Sequence, residues 1–205
     1  MLRAATSSLL RARSLAARLR GTPRAMASTT ASDGETDWRR NIVATAEEAQ
    51  RIAAAARVVA VLGIKTERHA GQPAFDVPLV LQKDGVRIVP VPVYYPEVKE
   101  ILGEPVVRDL REVAKHPAAA AQGGGAVCIL DVFRRSQDVP AHVPDILAMD
   151  PRPACVWLQS GCGNAEAEEA LAREGVVVVT DRCLKVDRLM GDGGGGGGKG
   201  GASRL

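Results

Sequence analysis

Four short segments hold most of the residues able to bind an anionic ligand. The first is Gly63-Ile-Lys-Thr-Glu-Arg68, followed by His69-Ala-Gly-Gln-Pro73. It supplies a glycine for close backbone approach, a hydroxyl at Thr66 and cations at Lys65 and Arg68. That chemistry suits phosphate groups, and it equally suits an ordinary solvated turn. The GxGxxG spacing that seats a pyrophosphate in dinucleotide enzymes is missing. The second, Pro90-Val-Pro-Val-Tyr-Tyr95, carries Tyr94 and has no acid before Glu97. NAD-binding folds place Asp or Glu there to hold ribose hydroxyls. An NAD-type clamp is therefore poorly supported, and a phosphorylated ribose would not be repelled.

The third segment, Asp131-Val-Phe-Arg-Arg-Ser-Gln-Asp138, offers an exposed Phe133, cations at Arg134 and Arg135, and Ser136 at a helix start. A flat apolar face beside two cations and backbone donors is a mix for an adenine ring and a phosphate chain. Its plainer reading is a core Phe133 beside solvated arginines. The fourth, Gln159-Ser-Gly-Cys-Gly-Asn164, brings small residues and a side-chain amide. No catalytic constellation accompanies these segments. His69, His116 and His142 are far apart, and no GxSxG, HExxH or paired-carboxylate motif occurs. The four cysteines lack CxxC spacing, which points to reduced thiols and argues against zinc or disulfides. Cys162, in a glycine-rich turn, is expected to be exposed. Cys183, beside Arg182 and Lys185, reads first as packing and second as a thiol of lowered pKa.

The elements that must position these segments are short apolar runs alternating with helical stretches. Strands are expected over Val58–Ile64, Val86–Val91, Ala126–Phe133, Ala154–Gln159 and Val176–Val179. Helices are expected over Ile42–Arg57, over Ala74–Asp84 with Pro78 in its first turn, over Ser136–Met149, and from an Asn164 cap through Arg173. Between them lie a short strand within Ile101–Val107, a single turn at Leu110–Val113 and a loose insertion at Ala118–Gly125. Such alternation implies βαβ units, a mainly parallel sheet covered on both faces, and a single doubly wound α/β domain. Ligands then bind beyond the carboxyl ends of the strands, where the strand order reverses. All four segments fall on that edge.

The ends read differently from the middle. Met1 to Ser32 contains no acid and six arginines, the pattern of an organelle transit peptide. Mitochondrion is favoured over chloroplast because arginine dominates, and a start at Met26 would leave the chain in the cytosol. Residues 191–205 are glycine-rich and are expected to form a flexible tail. Residues 36–190 remain as the folded domain, large enough to bury about 68–70% of its extended surface. Without Met1–Ser32 the charge is 21 basic against 24 acidic residues. That balance gives no signature of nucleic-acid binding. No apolar run approaches the ~20 residues of a membrane span.

Four runs together resemble one family: Ile101-Leu-Gly-Glu-Pro-Val-Val-Arg-Asp-Leu-Arg-Glu-Val113, Leu130-Asp-Val-Phe-Arg-Arg-Ser-Gln-Asp-Val-Pro140, Val156-Trp-Leu-Gln-Ser-Gly161 and Thr180-Asp-Arg-Cys-Leu-Lys-Val186. The chain looks like a stand-alone CoA-binding domain, related to the nucleotide-binding domain of the succinyl-CoA synthetase alpha subunit. The resemblance spans about Val58 to Val186. It implies a Rossmann-type domain with coenzyme A, or an acyl-CoA, over the strand ends. Gly63, Lys65 and Thr66 would approach phosphates, with Arg68 and Tyr94 nearby. Val132, Phe133, Arg134 and Ser136 would wall the nucleotide, and Gln159, Ser160 and Gly161 would complete the contacts. The first loop departs from the shorter Ser/Pro-rich loop of many relatives, and Cys162 stands where an aliphatic residue is common. The synthetase's domain with a phosphorylated histidine has no counterpart here, so ligase activity is not implied. Two other classes stay open: an NAD(P)-dependent oxidoreductase, and a regulatory subunit of an acyl-CoA enzyme tethered by its glycine-rich tail.

Overall fold

Short runs dominated by apolar residues become the central strands of the structure, a computed structural model that describes residues 37–121 and 127–191. Strands β1 (Val58–Leu62), β2 (Arg87–Val91), β5 (Ile129–Val132), β6 (Cys155–Leu158) and β7 (Val177–Val179) form one parallel sheet in the order β2-β1-β5-β6-β7. Val59 pairs with Ile88 on one side and Ile129 on the other. The chain moves outward from β1 to β2, then returns to the far side of β1 for β5. The strand order therefore reverses between β1 and β5. This is the expected doubly wound α/β arrangement.

Strand alternation sorts the core into two layers. Val58, Ala60, Leu62, Leu130, Val132, Val156 and Leu158 face one side. There they meet the short helices α3 (Pro117–Ala120) and α4 (Val143–Leu147) and the longer α5 (Ala165–Arg173). Val59, Val61, Ile129, Trp157 and Val179 face the other side. They pack on α1 (Ala46–Ala55), α2 (Pro73–Lys83) and α6 (Leu184–Gly191). The Asn164 cap read from the sequence is present, and the helix expected from Ile42 begins at Ala46 instead, capped by Thr45. The Thr45 side chain accepts from Glu48 N–H, and the Asn164 side chain accepts from Ala167 N–H.

Several boundaries differ from the sequence reading. Helix α2 begins at Pro73, so Pro78 lies in its second turn and not its first. A proline there removes the bond to the carbonyl four residues back. That carbonyl, on Ala74, instead accepts Lys65 N–H at 3.1 Å, which fastens the loop after β1 onto the helix. The expected strand at Ile101–Val107 is a two-residue hairpin, β3 (Glu100–Ile101) with β4 (Glu104–Pro105). The expected insertion contains α3, whose Ala119 is fully buried. Ser136–Asp138 and Pro140–His142 are separate single turns of 3-10 helix before α4, because Pro140 and Pro144 interrupt the run. Gly191, read as the first tail residue, closes α6; a Cβ there would sit 2.7 Å from the Gln50 carbonyl oxygen. The expected leader at 1–32 and the rest of the glycine-rich tail lie outside the described residues. No helix among the described residues is long and apolar enough to cross a membrane.

Candidate functional site

The loop leaving β1 spends many of its polar groups on itself and on neighbouring segments. Gly63 N–H donates to Val91 O at 2.8 Å, and Lys65 N–H is held by Ala74. Gly63 has φ +87, and a Cβ on it would stand 2.3 Å from the Phe133 carbonyl oxygen. A side chain here would therefore collide with the backbone leaving β5. Thr66 is buried, with its hydroxyl 3.1 Å from His69 Nδ1; Tyr95 Oη lies 3.2 Å from His69 Nε2. The Lys65 ammonium donates to the neutral Gln72 side chain. Arg68 is exposed.

The loop after β2 turns through Tyr94 and Tyr95, the latter at φ 66. Arg108 holds that turn by donating to the carbonyl oxygens of Tyr95 at 2.8 Å and Val98 at 2.5 Å. Longer bonds reach Tyr94 and Pro96. Arg108 was not singled out from sequence, since its partners are backbone groups of a turn. Tyr94 is 57% exposed and faces Arg134, whose guanidinium carbon lies 5.6 Å from the ring centroid.

Arg134 is the most heavily partnered of the expected site residues. Its Nε donates to His142 Nε2 at 3.1 Å, one Nη to Asp138 at 3.2 Å, and the other Nη to the Tyr94 hydroxyl at 3.4 Å. The hydrogen bond from Arg134 lowers the Tyr94 pKa. Burial, aided by the Arg134 charge, lowers that of His142 and keeps it a neutral acceptor. Arg135 bonds Asp138 at 2.9 Å and, with Arg134, holds that carboxyl below the usual carboxylate range. The first loop is within reach, since Arg134 Cδ would be 3.3 Å from a Cβ on Gly63.

Other expected residues sit differently from the sequence reading. Phe133 is half-buried, packed on the Val61 and Trp157 layer, and does not offer a free platform. Val132 is fully buried and supports the site only from behind. Ser136 caps no helix; its hydroxyl donates to Gly163 O, while the Asn164 side chain donates to Ser136 O at 3.1 Å. Those two bonds join the loops after β5 and β6. Gln159 turns inward and donates to Asp131 at 2.8 Å. Ser160 and Gly161 are exposed, and Gly161 N–H donates to the Asp181 carboxylate at 2.6 Å. Cys162 is buried, contrary to expectation, and burial raises its thiol pKa.

Two features were not singled out from sequence. Asp131 is fully buried at the end of β5, with Oδ2 lacking a partner among the described residues; burial pushes its pKa up to about 8. An acid inside the apolar run Ile129–Val132 was the available signal. The second is a cleft of ≈ 580 Å³ beyond β1 and β2, walled by Leu62, Val91, Pro92, Val93, Pro96 and Leu110. It opens beside Tyr94, and His142 forms part of its lining. The remaining lining is charged, with Arg108, Asp109, Arg111 and Asp145, so the strand-end edge joins the Arg134 cluster to a recess of mixed character.

The chain is similar to known proteins over most of its described length. YneT of Bacillus subtilis (strain 168) is 30% identical over 139 residues, covering 68% of this chain and 90% of that protein. The solved structure of cell-free ID.343 from Thermus thermophilus is 35% identical and covers 72% of this chain and 99% of its own, with a TM-score of 0.58. A hypothetical protein from Pyrococcus horikoshii OT3, at 20% identity, 72% and 92% coverage and a TM-score of 0.58, shares the fold. The model of the CoA binding domain matches residues 57–188, the whole of the sheet and its site loops. This chain belongs to the CoA binding domain family.

Proposed function

We propose that the protein binds coenzyme A or an acyl-CoA across the carboxyl ends of β1 and β5, as a binding module without catalysis of its own. The observation that carries this reading is the Arg134–Tyr94 pair, held beside Gly63 at the strand-order reversal. Coenzyme A carries a pyrophosphate and a ribose phosphate. Charge-assisted bonds from Arg134 and Arg135, with Lys65 and Arg68 across the crevice, supply the matching donors. The end of β2 bears Val91, Pro92 and Val93 and no acid to repel a phosphorylated ribose. Family membership supports the same ligand. Import into an organelle, mitochondrion ahead of chloroplast, is part of this proposal and rests on the arginines of residues 1–32; N-terminal sequencing of the mature chain tests it.

The test of the site is calorimetric titration of Arg134→Ala with CoA and with dephospho-CoA. A guanidinium on the ribose phosphate predicts a larger loss for CoA. Equal losses would remove Arg134 from that phosphate.

A further inference from the structure

We propose that Arg108 is a positioning residue for the anion site: by tying the turn after β2 it holds the Tyr94 phenol against Arg134, and it touches no ligand itself. The inference rests on the coenzyme A reading above for the identity of the anion. The turn has few donors of its own. Pro92 and Pro96 have no N–H to give, and Tyr95 sits at φ 66, a conformation rare outside glycine. Within the turn a backbone bond runs from Val98 N–H to Tyr95 O at 3.1 Å.

Arg108 supplies the missing donors. A bond from Val107 N–H to Pro90 O, at 2.8 Å, fixes its backbone beside β2. From there its guanidinium donates to the carbonyl oxygens of Tyr94, Tyr95, Pro96 and Val98, at 2.5 to 3.4 Å. The neighbouring acid, Asp109, is taken by Arg111 at 2.6 Å and does not draw Arg108 away.

Tyr94 depends on that turn for its place. Its side chain is 57% exposed, so the core does not fix the ring. The Arg134 guanidinium reaches its hydroxyl at 3.4 Å and lies 5.6 Å from its centroid, and the Tyr95 ring stands edge-on at 6.3 Å. A loosened turn would let the Tyr94 ring swing into water. Arg134 would then keep His142 and Asp138 but lose the phenol that also orients it. The loss passes to a phosphate on Arg134 without any contact from Arg108.

The experiment has one arm without ligand and one with it. Ultraviolet titration of the full chain follows its two tyrosines. The hydrogen bond from Arg134 holds the Tyr94 phenol below its ordinary pKa. In Arg108→Ala and in Arg108→Lys that phenol should return toward the ordinary value, about 10. Lysine keeps the charge but not the planar fork, so a shift shared by both variants comes from the lost carbonyl bonds. Calorimetric titration with CoA should show Arg108→Ala weakening binding about fivefold. With Tyr94 already replaced by alanine, the same change should cost less than about twofold. An unchanged phenol titration, or a shift confined to Arg108→Ala, overturns the inference. So does an equal loss with and without Tyr94, which would mean that Arg108 meets the ligand directly. If the intact chain binds no CoA, the coenzyme reading falls, and the phenol titration still decides the role of Arg108. Should Arg108→Ala fail to fold, Arg108→Lys decides; if neither folds, Arg108 serves the whole fold and the inference falls.

Discussion

The loops that leave β1 and β5 lie side by side where the strand order reverses, and they treat positive charge in opposite ways. After β1 the backbone donors of Gly63 and Lys65 are already used, and the cations face outward, Lys65 to a neutral amide and Arg68 to water. After β5 a single guanidinium is nearly enclosed, its side chain 12% exposed and fixed by a carboxylate, an imidazole and a phenol from two loops. The first loop offers adaptable charge that must lose side-chain entropy to bind. The second offers a placed charge that is partly neutralised before the ligand arrives. Orientation at such a site comes from Arg134, while Lys65 and Arg68 add attraction that salt screens.

The contrast extends into the sheet beneath the loops. Val61 of β1 and Asp131 of β5 are register partners, so the second loop stands on a buried acid where the first stands on a valine. Unfolded, Asp131 loses its proton near 3.8; folded, it keeps it up to about 8. The folded chain binds the extra proton across that interval. Stability should therefore fall as pH rises from about 4 to about 8, by at most about 1.4 kcal/mol for each pH unit. Asp131→Asn should flatten this decline in urea titrations run at several pH values. Parallel profiles for the two proteins would mean that Asp131 is ionised in the native state.

A smaller effect separates the two glycines of the first loop. Gly63→Ala places a methyl against the Phe133 carbonyl at a left-handed φ and should cost on the order of 3 kcal/mol. Gly71 has φ +93 but open space around it, so Gly71→Ala should cost only about 1 kcal/mol. Denaturant midpoints measure both. Equal costs would show that backbone conformation alone, and not the crossing of the two loops, demands Gly63.

The smallest expected effects compare the cations directly. Arg134→Ala should weaken CoA roughly ten- to a hundredfold, the value of a charge-assisted bond in a fixed geometry. Arg68→Ala should cost less than about fivefold, and that loss should shrink further in high salt. A larger loss for Arg68 would reverse the roles given to the two loops.

The sequence made the sheet legible because its strands are buried on both faces and read as unbroken apolar runs. Helix α5 was legible because Asn164 and Gly175 mark its ends. Helix α6 was not, because Leu184, Val186 and Leu189 are too few to show a period against the glycine run that follows. The segments around the site were found from residue type, but the contacts between those segments were not foreseen. Gly63 and Ser136 serve contacts between loops, and Gln159 serves a buried acid. Those partners lie on segments distant in sequence, and local spacing carries no information about them. Arg108 and the cleft escaped for the same reason, since both are built from segments that meet only after folding.

The central claim is tested most directly by calorimetric titration of the full chain with CoA, with NAD and NADPH as controls. The account predicts saturable binding of CoA and none of either nicotinamide nucleotide. Preference for a nicotinamide, or no binding of CoA, would mean that this chain has kept the family's fold and lost its ligand.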